Sequence, residues 1–314
     1  MFDANLYNLT QSLAGALGVG MGIIRAQEEL QPLPDLYKLR AGYAESPGWY
    51  MVQALEFDPG PLTVARLRVR DIYAAESLVR GLLEIMASEK WLHRQGENYF
   101  LSKLGRDLQE TRRGRLTRWL SALMPLPVAD MKRLEQLMAA IINASLRSPD
   151  PPGTWCLAHS RNRAPANDAP PAVKIFQFTA DFNAFRDDAH MAAWGPLGVD
   201  GRTWEAFSFL LTQSANSAAA LFDQLAYRGY SQEDYAAALQ NLAERGWLTV
   251  KQQQANSYET TYQVTTAGRE VHKQIEALTD EYFFNPWQTL SQEELEDLIQ
   301  LMEQARDALQ AMSR

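Results

Sequence analysis

The sequence predicts a mainly α-helical protein with two small β-hairpins, an α+β fold in which one arrangement of helices and strands occurs twice. The chain has 314 residues, which exceeds the size at which a single hydrophobic core usually stops growing. Its composition, 46% hydrophobic and 22% charged, is that of a globular protein and not of a membrane protein or a disordered one. In addition, residue patterns of the first half recur in the same order in the second half.

The repeat is clearest at the end of a leucine-rich segment. Residues 81–92 (GLLEIMASEKWL) and 238–248 (ALQNLAERGWL) end similar helical patterns, so that Trp91 matches Trp247. Three further pairs follow downstream, 103–108 with 266–271, 124–126 with 285–287, and 134–138 with 298–302. The offset is nearly constant, which indicates an internal duplication whose two copies should superpose about an approximate two-fold axis.

Each copy predicts the same elements: a helix, a short helix, a tight turn, a longer amphipathic helix, two strands, a long helix, a break at proline and a last helix. In the first copy these are 49–57, 63–70, 71–73, 74–88, 91–95 with 99–101, a break at Pro125 and 128–146. In the second copy they are 204–213, 217–228, 229–231, 232–245, 247–251 with 258–264, a break at Pro286 and 291–312. Ser291 and Glu294 form a capping-box pattern at the start of the last helix.

Three segments follow from this reading. Residues 1–146 would hold an N-terminal helix (5–30) and the first copy, and residues 173–314 the second copy. Residues 147–172 between them contain six prolines, so we expect a linker without helix there, followed by a short strand at 173–178. The N-terminal helix would pack with the final helices, and its small residues would allow close approach; these are Ala14, Gly15, Gly18, Gly20 and Gly22.

A helix, turn, helix and two-stranded wing make a winged helix-turn-helix unit. The second copy resembles the MarR-like winged-helix transcription regulators in three pieces, residues 236–248 with the pattern LxxRGWL, residues 262–269 (YQVTTAGR), and the helix at 270–282. The first copy departs from the pattern, with Lys90 in place of Gly246 and residues 102–106 reading SKLGR. The resemblance covers about two thirds of the chain.

The resemblance implies a DNA-binding regulator that acts on double-stranded DNA in the cytoplasm. Members of this family work as symmetric dimers, so two copies in one chain imply a monomeric pseudo-dimer with a helical pseudo-dimerisation core. In related regulators, small aromatic or lipophilic effectors bind where the DNA-binding lobes join the dimer core. Core packing is the alternative role for the aromatic residues expected at that junction, which are Trp49, Trp194, Trp204, Tyr282 and Trp287.

Charge distinguishes the two copies. The chain carries a net charge of −8, but residues 62–120 contain twelve basic and seven acidic side chains. The second copy instead opens its longer helix with the acidic pair Glu233 and Asp234. We therefore expect DNA contact mainly by the first copy, through its longer helix and wing. The expected contact residues are Arg66, Arg68, Arg70, Ser77, Arg80, Arg94 and Gln95. An ordinary solvated helix surface with internal ion pairs is the alternative.

The remaining signals are weaker. The chain has four scattered histidines and a single cysteine, Cys156, so that neither a metal site nor a disulfide framework is expected. The Asp187, Asp188 and His190 group is read as the N-terminal turn of a helix rather than as a metal site. We find no arrangement of nucleophile and base or of paired carboxylates, and we expect no enzyme activity, no cofactor and no membrane segment. The alternative function is a winged-helix module that binds a protein or small molecule and no longer binds DNA.

Overall fold

The computed structural model describes residues 4–27 and 47–312 of the chain. Helices dominate this part of the protein, and none of those described is long and apolar enough to cross a membrane. In the described ranges the order is α1 (Ala4–Ala26), α2 (Pro47–Phe57), α3 (Val64–Arg70), α4 (Glu76–Ser88), β1 (Leu92–Gln95), β2 (Asn98–Leu101), α5 (Lys103–Ser121), α6 (Val128–Ser145), α7 (Trp155–Arg161), α8 (Pro171–Trp194), α9 (Gly201–Leu211), α10 (Ala218–Leu225), α11 (Gln232–Glu244), β3 (Leu248–Gln252), β4 (Thr261–Val264), α12 (Thr266–Phe284) and α13 (Gln292–Ala311).

The expected fold class is confirmed: two winged helix-turn-helix units lie in one chain. The first consists of α2, α3, α4 and the antiparallel hairpin β1–β2, and the second of α9, α10, α11 and the hairpin β3–β4. In the first hairpin Leu92 pairs with Leu101, and in the second Leu248 pairs with Val264. Each hairpin follows its longer helix directly and therefore occupies the position of a wing.

Both wings are tied to the following helix in the same way. The Ser102 amide donates to the Trp91 carbonyl oxygen at 2.9 Å, and the Ser102 hydroxyl accepts from the Gly105 amide at 2.9 Å. A side chain at Gly105 would place its Cβ 2.2 Å from that carbonyl oxygen, so only glycine fits. The repeated Gly-Arg pattern thus has a physical cause, because the helix start must approach the wing backbone closely.

The second wing has equivalent bonds. Thr265 donates its amide to the Trp247 carbonyl oxygen at 3.0 Å and accepts from the Gly268 amide at 3.0 Å. A Cβ at Gly268 would lie 2.4 Å from the same oxygen. The residue before the tryptophan is left-handed in both wings, with φ of 74° at Gly246 and 63° at Lys90. Lys90 therefore replaces glycine without changing the backbone, although a lysine is strained in this conformation.

The chain divides into two compact units that do not follow the order of the sequence. Unit 1 contains the described parts of residues 1–33, 107–192 and 278–314, and unit 2 those of residues 34–106 and 193–277. Both helix-turn-helix arrangements therefore belong to unit 2, while unit 1 is helical. A cut at 146 or 173, as read from the sequence, would separate elements that pack together within one unit.

Unit 1 is built around α1 and the C-terminal helix α13, as the sequence led us to expect. Its core contains the fully buried rings of Phe182, Phe283 and Trp287. Of the α1 glycines at 15, 18, 20 and 22, only Gly20 has close neighbours. A Cβ there would lie 3.0 Å from Leu309 Cδ2, whereas the other three face open space. The expectation that all of these small residues allow close packing is therefore wrong for three of the glycines.

Two local expectations between the copies are also wrong. The proline-rich segment 147–172 contains the helix α7, and residues 173–178 belong to α8 rather than to a strand. Pro171 stands at the first position of α8, where its missing amide proton costs nothing. Buried Phe178, Phe182 and Phe185 follow at helical spacing. This longer pattern indicates a helix, whereas the short alternating stretch at 173–178 taken alone suggested a strand.

Candidate nucleic-acid interface

The first helix-turn-helix is formed by α3 and α4. Thr63 caps α3 by accepting a hydrogen bond from the Arg66 amide on Oγ1 at 3.1 Å. One face of α4 is buried and apolar, and its members are Leu78, Val79, Leu82, Leu83 and Met86. The opposite face is therefore the one that α4 can offer to a partner.

The turn of this motif packs against the turn of the second motif, and both lie within unit 2. The main-chain amide of Ala75, the residue before α4, donates to the main-chain carbonyl oxygen of Arg228 at 2.8 Å. The Tyr230 hydroxyl donates to the carbonyl oxygen of Ala74 at 3.2 Å. Ala74 and Ala75 are consequently buried, at 0% and 4% exposure. The N-terminal end of α4 is closed by the second motif.

Gly229 makes this approach possible. Its φ is 80°, and a Cβ built there would lie 2.8 Å from the Cβ of Leu78 and 3.4 Å from that of Ala75. A second close approach occurs at the start of α9, where a Cβ on Gly201 would lie 2.3 Å from the Ile72 carbonyl oxygen. Two glycines thus allow the backbone of each motif to touch the other motif.

This contact limits the distance between the two longer helices. The four peptide steps from Arg228 to Gln232 span at most about 14 Å, and the bonded pair with the step to Glu76 adds about 9 Å, so the first residues of α4 and α11 lie within about 23 Å of each other. Dimeric helix-turn-helix proteins read half-sites separated by one turn of DNA, about 34 Å. The N-terminal ends of α4 and α11 cannot span that separation.

A buried ion-pair network lies at the same contact. Arg228 bonds Asp71 at 3.2 Å and Glu205 at 2.8 Å, with side-chain exposures of 13%, 4% and 11% respectively. The Tyr50 hydroxyl also donates to Asp71 Oδ2 at 2.6 Å. Burial raises the pKa of Glu205, and the charge and hydrogen bonds of Arg228 lower it in part. One guanidinium thus holds two carboxylates from the two motifs.

The exposed side of α4 continues onto the hairpin. We call it the first-wing surface and define it as Ser77, Arg80, Gly81, Arg94 and Gln95. In addition to these five residues, three carboxylates lie on it, which are Glu76, Glu84 and Glu97. The two arginines are therefore outnumbered by acidic groups in the unbound protein.

Each arginine of the first-wing surface has acidic partners. Arg80 bonds Glu76 at 2.9 Å and Glu97 at 2.8 Å. Arg94 bonds Glu84 at 2.5 Å and the same Glu97 at 3.3 Å. The hydrogen bond that Arg80 donates to Glu97 lowers the pKa of Glu97, and the bonds that Arg80 donates to Glu97 and Glu76 raise its own pKa. Glu97 therefore joins the helix to the wing and occupies donors that a phosphate would need.

Arg66 and Arg68 make contacts within the first motif. Arg66 donates to the Pro61 carbonyl oxygen at 2.5 Å and lies over the Phe57 ring at 4.6 Å. Arg68 donates to the Ala74 carbonyl oxygen at 3.3 Å. Both side chains are only partly exposed.

Arg70 lies in the interior. It donates to Gln53 at 3.1 Å and to Glu56 at 3.0 Å, and the Arg70 and Glu56 side chains are 7% and 0% exposed. The sequence expectation of a DNA contact by Arg70 is therefore corrected: its guanidinium neutralises a buried carboxylate, and a phosphate cannot reach it.

The second motif presents a different surface. Ser231 and Asp234 form a capping box at the start of α11, and Asp234 also accepts from Arg202 at 2.8 Å. The exposed residues of α11 are Glu233, Ala237, Gln240 and Glu244. Negative side chains therefore face solvent along the helix that corresponds to α4.

The aromatic residues expected around an effector site fall into both units. In unit 2, Trp194 and Trp204 are 3% and 1% exposed, and their rings stack at 5.8 Å with an interplanar angle of 9°. The indole nitrogen of Trp194 is buried without a hydrogen-bond partner. Trp49 lies in α2, but its side chain is outside the described residues.

Tyr282 and Trp287 belong to unit 1. The Trp287 ring is 0% exposed and stacks on Phe182 at 5.1 Å, while Tyr282 is partly buried against the same core. Both therefore contribute to the packing of unit 1 itself.

The Asp187, Asp188 and His190 group is not at a helix N-terminus, contrary to the sequence reading, because it lies within α8. Asp188 instead accepts hydrogen bonds from the amides of Cys156 at 2.8 Å and Leu157 at 2.9 Å and so caps α7. In residues 4–27 and 47–312 no group of three or more His, Cys, Asp or Glu side chains could hold a metal ion.

Sequence reasoning missed the Asp71, Arg228 and Glu205 network. Its members are separated by up to 157 residues, and no local pattern marks them. The only signal that could have drawn attention to Arg228 is its position immediately before Gly229, at the turn of the second motif.

Comparison with known proteins gives one match. The model of a helix-turn-helix family matches residues 105–313, which is about two thirds of the chain. The matched segment begins in α5, includes the complete second motif and lies beyond the first. No curated protein and no solved structure matches the chain. The protein belongs to this helix-turn-helix family.

Proposed function

We propose that the protein is a DNA-binding transcription regulator that contacts duplex DNA mainly through the first-wing surface. Membership in the helix-turn-helix family supports DNA binding. The observation that carries the choice of surface is the exposed pair Arg80 and Arg94, one on the helix and one on the wing, joined through Glu97. Exposed ion pairs contribute little to stability, so phosphate groups can replace the carboxylates at small cost.

Two small residues support the same surface. Ser77 and Gly81 are exposed on α4 beside Arg80, and a Cβ at Gly81 would meet no atom within 4 Å. A helix without a side chain at this point can bring its backbone close to a groove wall. The closed N-terminus of α4 means that the side of the helix, rather than its end, is turned to the DNA.

We further propose a MarR-like origin by duplication and a monomeric state, supported by the equivalent bonds of the two wings. Because the N-terminal ends of α4 and α11 lie within about 23 Å of each other, we propose that the protein binds a single DNA segment rather than two half-sites. Static light scattering at micromolar concentration should give the mass of one chain.

The proposal extends to a small aromatic effector in unit 2. The buried Trp194 indole nitrogen without a partner, beside the Trp204 ring, supports it. Benzoate and indole are suitable ligands to test, because binding there would change tryptophan fluorescence. No change with either ligand would remove the effector from the proposal.

The experiment measures anisotropy of labelled genomic DNA fragments of mixed sequence between about 50 mM and about 200 mM salt. Arg80→Ala with Arg94→Ala should weaken binding. It should also reduce the salt slope, the slope of log K against the logarithm of the salt concentration, by about two units, because two phosphate contacts are lost. Lys251→Ala in the second wing is the control and should change little. Absence of binding by the unchanged protein at about 50 mM salt would refute the proposal.

One observation favours a second candidate, a module that binds a protein or small molecule and no DNA. The N-terminus of α4 is covered, and all five arginines expected to touch DNA have partners within the protein. If this candidate is correct, the unchanged protein will not bind the fragments at either salt concentration.

A further inference from the structure

A second group of arginines lies on α5 of unit 1. We define the α5 arginine cluster as Arg112, Arg113 and Arg115. Arg113 is exposed and the other two are partly exposed. In contrast to Arg80 and Arg94, none of the three makes a hydrogen bond or ion pair with any of the described residues. Their charge is therefore available to a partner.

The surrounding sequence leaves this charge uncompensated. From 111 to 129 the chain contains no aspartate or glutamate. The nearest acidic residue along the helix is Glu110. A local excess of this size on a chain with net charge −8 attracts polyanions selectively to one place.

The helix holds the three side chains in a short space. Arg112 and Arg115 are three residues apart and share one side of α5, so the cluster rises only about 4.5 Å along the helix axis. Gln109 and Leu120 on either side are buried, at 2% and 0% exposure, which fixes this part of α5. Gly114 is exposed and would tolerate close approach of a partner.

We propose that the α5 arginine cluster binds the phosphate backbone of duplex DNA, as a contact site separate from the first-wing surface. Guanidinium groups bind phosphate oxygens in a bidentate manner and carry no information on base sequence. The cluster would therefore supply affinity, while the first-wing surface supplies sequence preference. The choice of DNA as the polyanion rests on the proposed function.

The test compares the full-length protein with Arg112→Ala, Arg113→Ala and Arg115→Ala combined. Three lost phosphate contacts should flatten the salt slope by about 2.7 units and weaken binding at least about tenfold at low salt. The loss should be the same for every DNA sequence tested. A matched triple lysine variant at the three positions keeps the charge and should retain most of the slope.

The possible outcomes separate this inference from the proposed function. If the alanine triple variant keeps the full slope while Arg80→Ala with Arg94→Ala loses affinity, the cluster proposal is wrong and the first-wing surface stands. If only the triple variant loses affinity, the cluster stands and the first-wing surface does not. If the unchanged protein binds phosphatidylserine vesicles through the cluster and shows no DNA binding, both proposals are wrong.

Discussion

The main-chain amide of Ala75 donates a hydrogen bond to the main-chain carbonyl oxygen of Arg228 at 2.8 Å, across 153 positions of the chain. Amides at the start of a helix have no partner within the helix and in many proteins bind a phosphate or a capping side chain. Here the turn of the other motif satisfies one of them. The bond closes the end of α4 and is one of several contacts that join the two motifs within unit 2.

The first prediction concerns Gly229. Gly229→Ala should destabilise the protein by about 3 kcal/mol, because a positive φ and overpacking against Leu78 act together. Gly96→Ala is the control, since Gly96 has a φ of 63° but open space around it, and should cost only about 1–2 kcal/mol. Urea unfolding measures both. Equal costs would show that the turn contact contributes nothing.

The second prediction concerns Arg228. Arg228→Met leaves two buried carboxylates without their cation and should cost about 3–5 kcal/mol at neutral pH. Arg306→Ala removes an arginine whose aspartate partner is exposed and should change stability little.

The Arg228→Met cost should depend on pH. The folded pKa of Glu205 is raised above its unfolded value, so the folded state binds the proton more tightly and stability falls as pH rises through that interval. Because the charge of Arg228 lowers the pKa of Glu205, removing Arg228 raises this pKa further, and the loss of stability with rising pH becomes larger. The variant should therefore lose less stability at about pH 5 than at about pH 8. A cost that is constant between these pH values would contradict the role of Glu205.

The third prediction concerns Glu97. Glu97→Gln removes the carboxylate shared by Arg80 and Arg94 and should strengthen DNA binding roughly two- to fivefold, because both guanidinium groups become available to phosphates. Glu89→Gln changes the net charge equally at an exposed residue outside the ion pairs of this surface. Anisotropy titrations at one salt concentration compare the two. A similar gain in both variants would indicate a general charge effect.

The fourth prediction uses the buried thiol of Cys156. Asp188→Ala removes the cap of α7 and should weaken the packing of that helix by about 1–2 kcal/mol. Local opening then exposes the thiol, so its reaction with dithionitrobenzoate should accelerate roughly tenfold. Asp168→Ala, at an exposed position before α8, should leave the rate unchanged. Because Cys156 is the single cysteine of the chain, the whole absorbance change on reaction with dithionitrobenzoate comes from this residue.

Several features could be read from the sequence because their causes are local. The wings and their closing helices follow from Ser102 with Gly105 and Thr265 with Gly268, whose spacing brings a hydroxyl and a glycine to one carbonyl oxygen. The capping box at Ser291 is confirmed for the same reason. Such patterns need only a few neighbouring residues, so no knowledge of the rest of the fold is required.

The tertiary structure alone decided which arginines are available. Arg70 and Arg80 look alike in the sequence, but one neutralises buried Glu56 and the other lies on the first-wing surface. Burial depends on elements that are distant along the chain, as does the network of Asp71 with Arg228. The sequence by itself determined the wings, the turns and the helices of the two motifs, because these depend on short-range spacing, whereas it missed α7 and the first turns of α8. Packing between distant segments determined the division into units, the closed end of α4 and the charges that remain exposed.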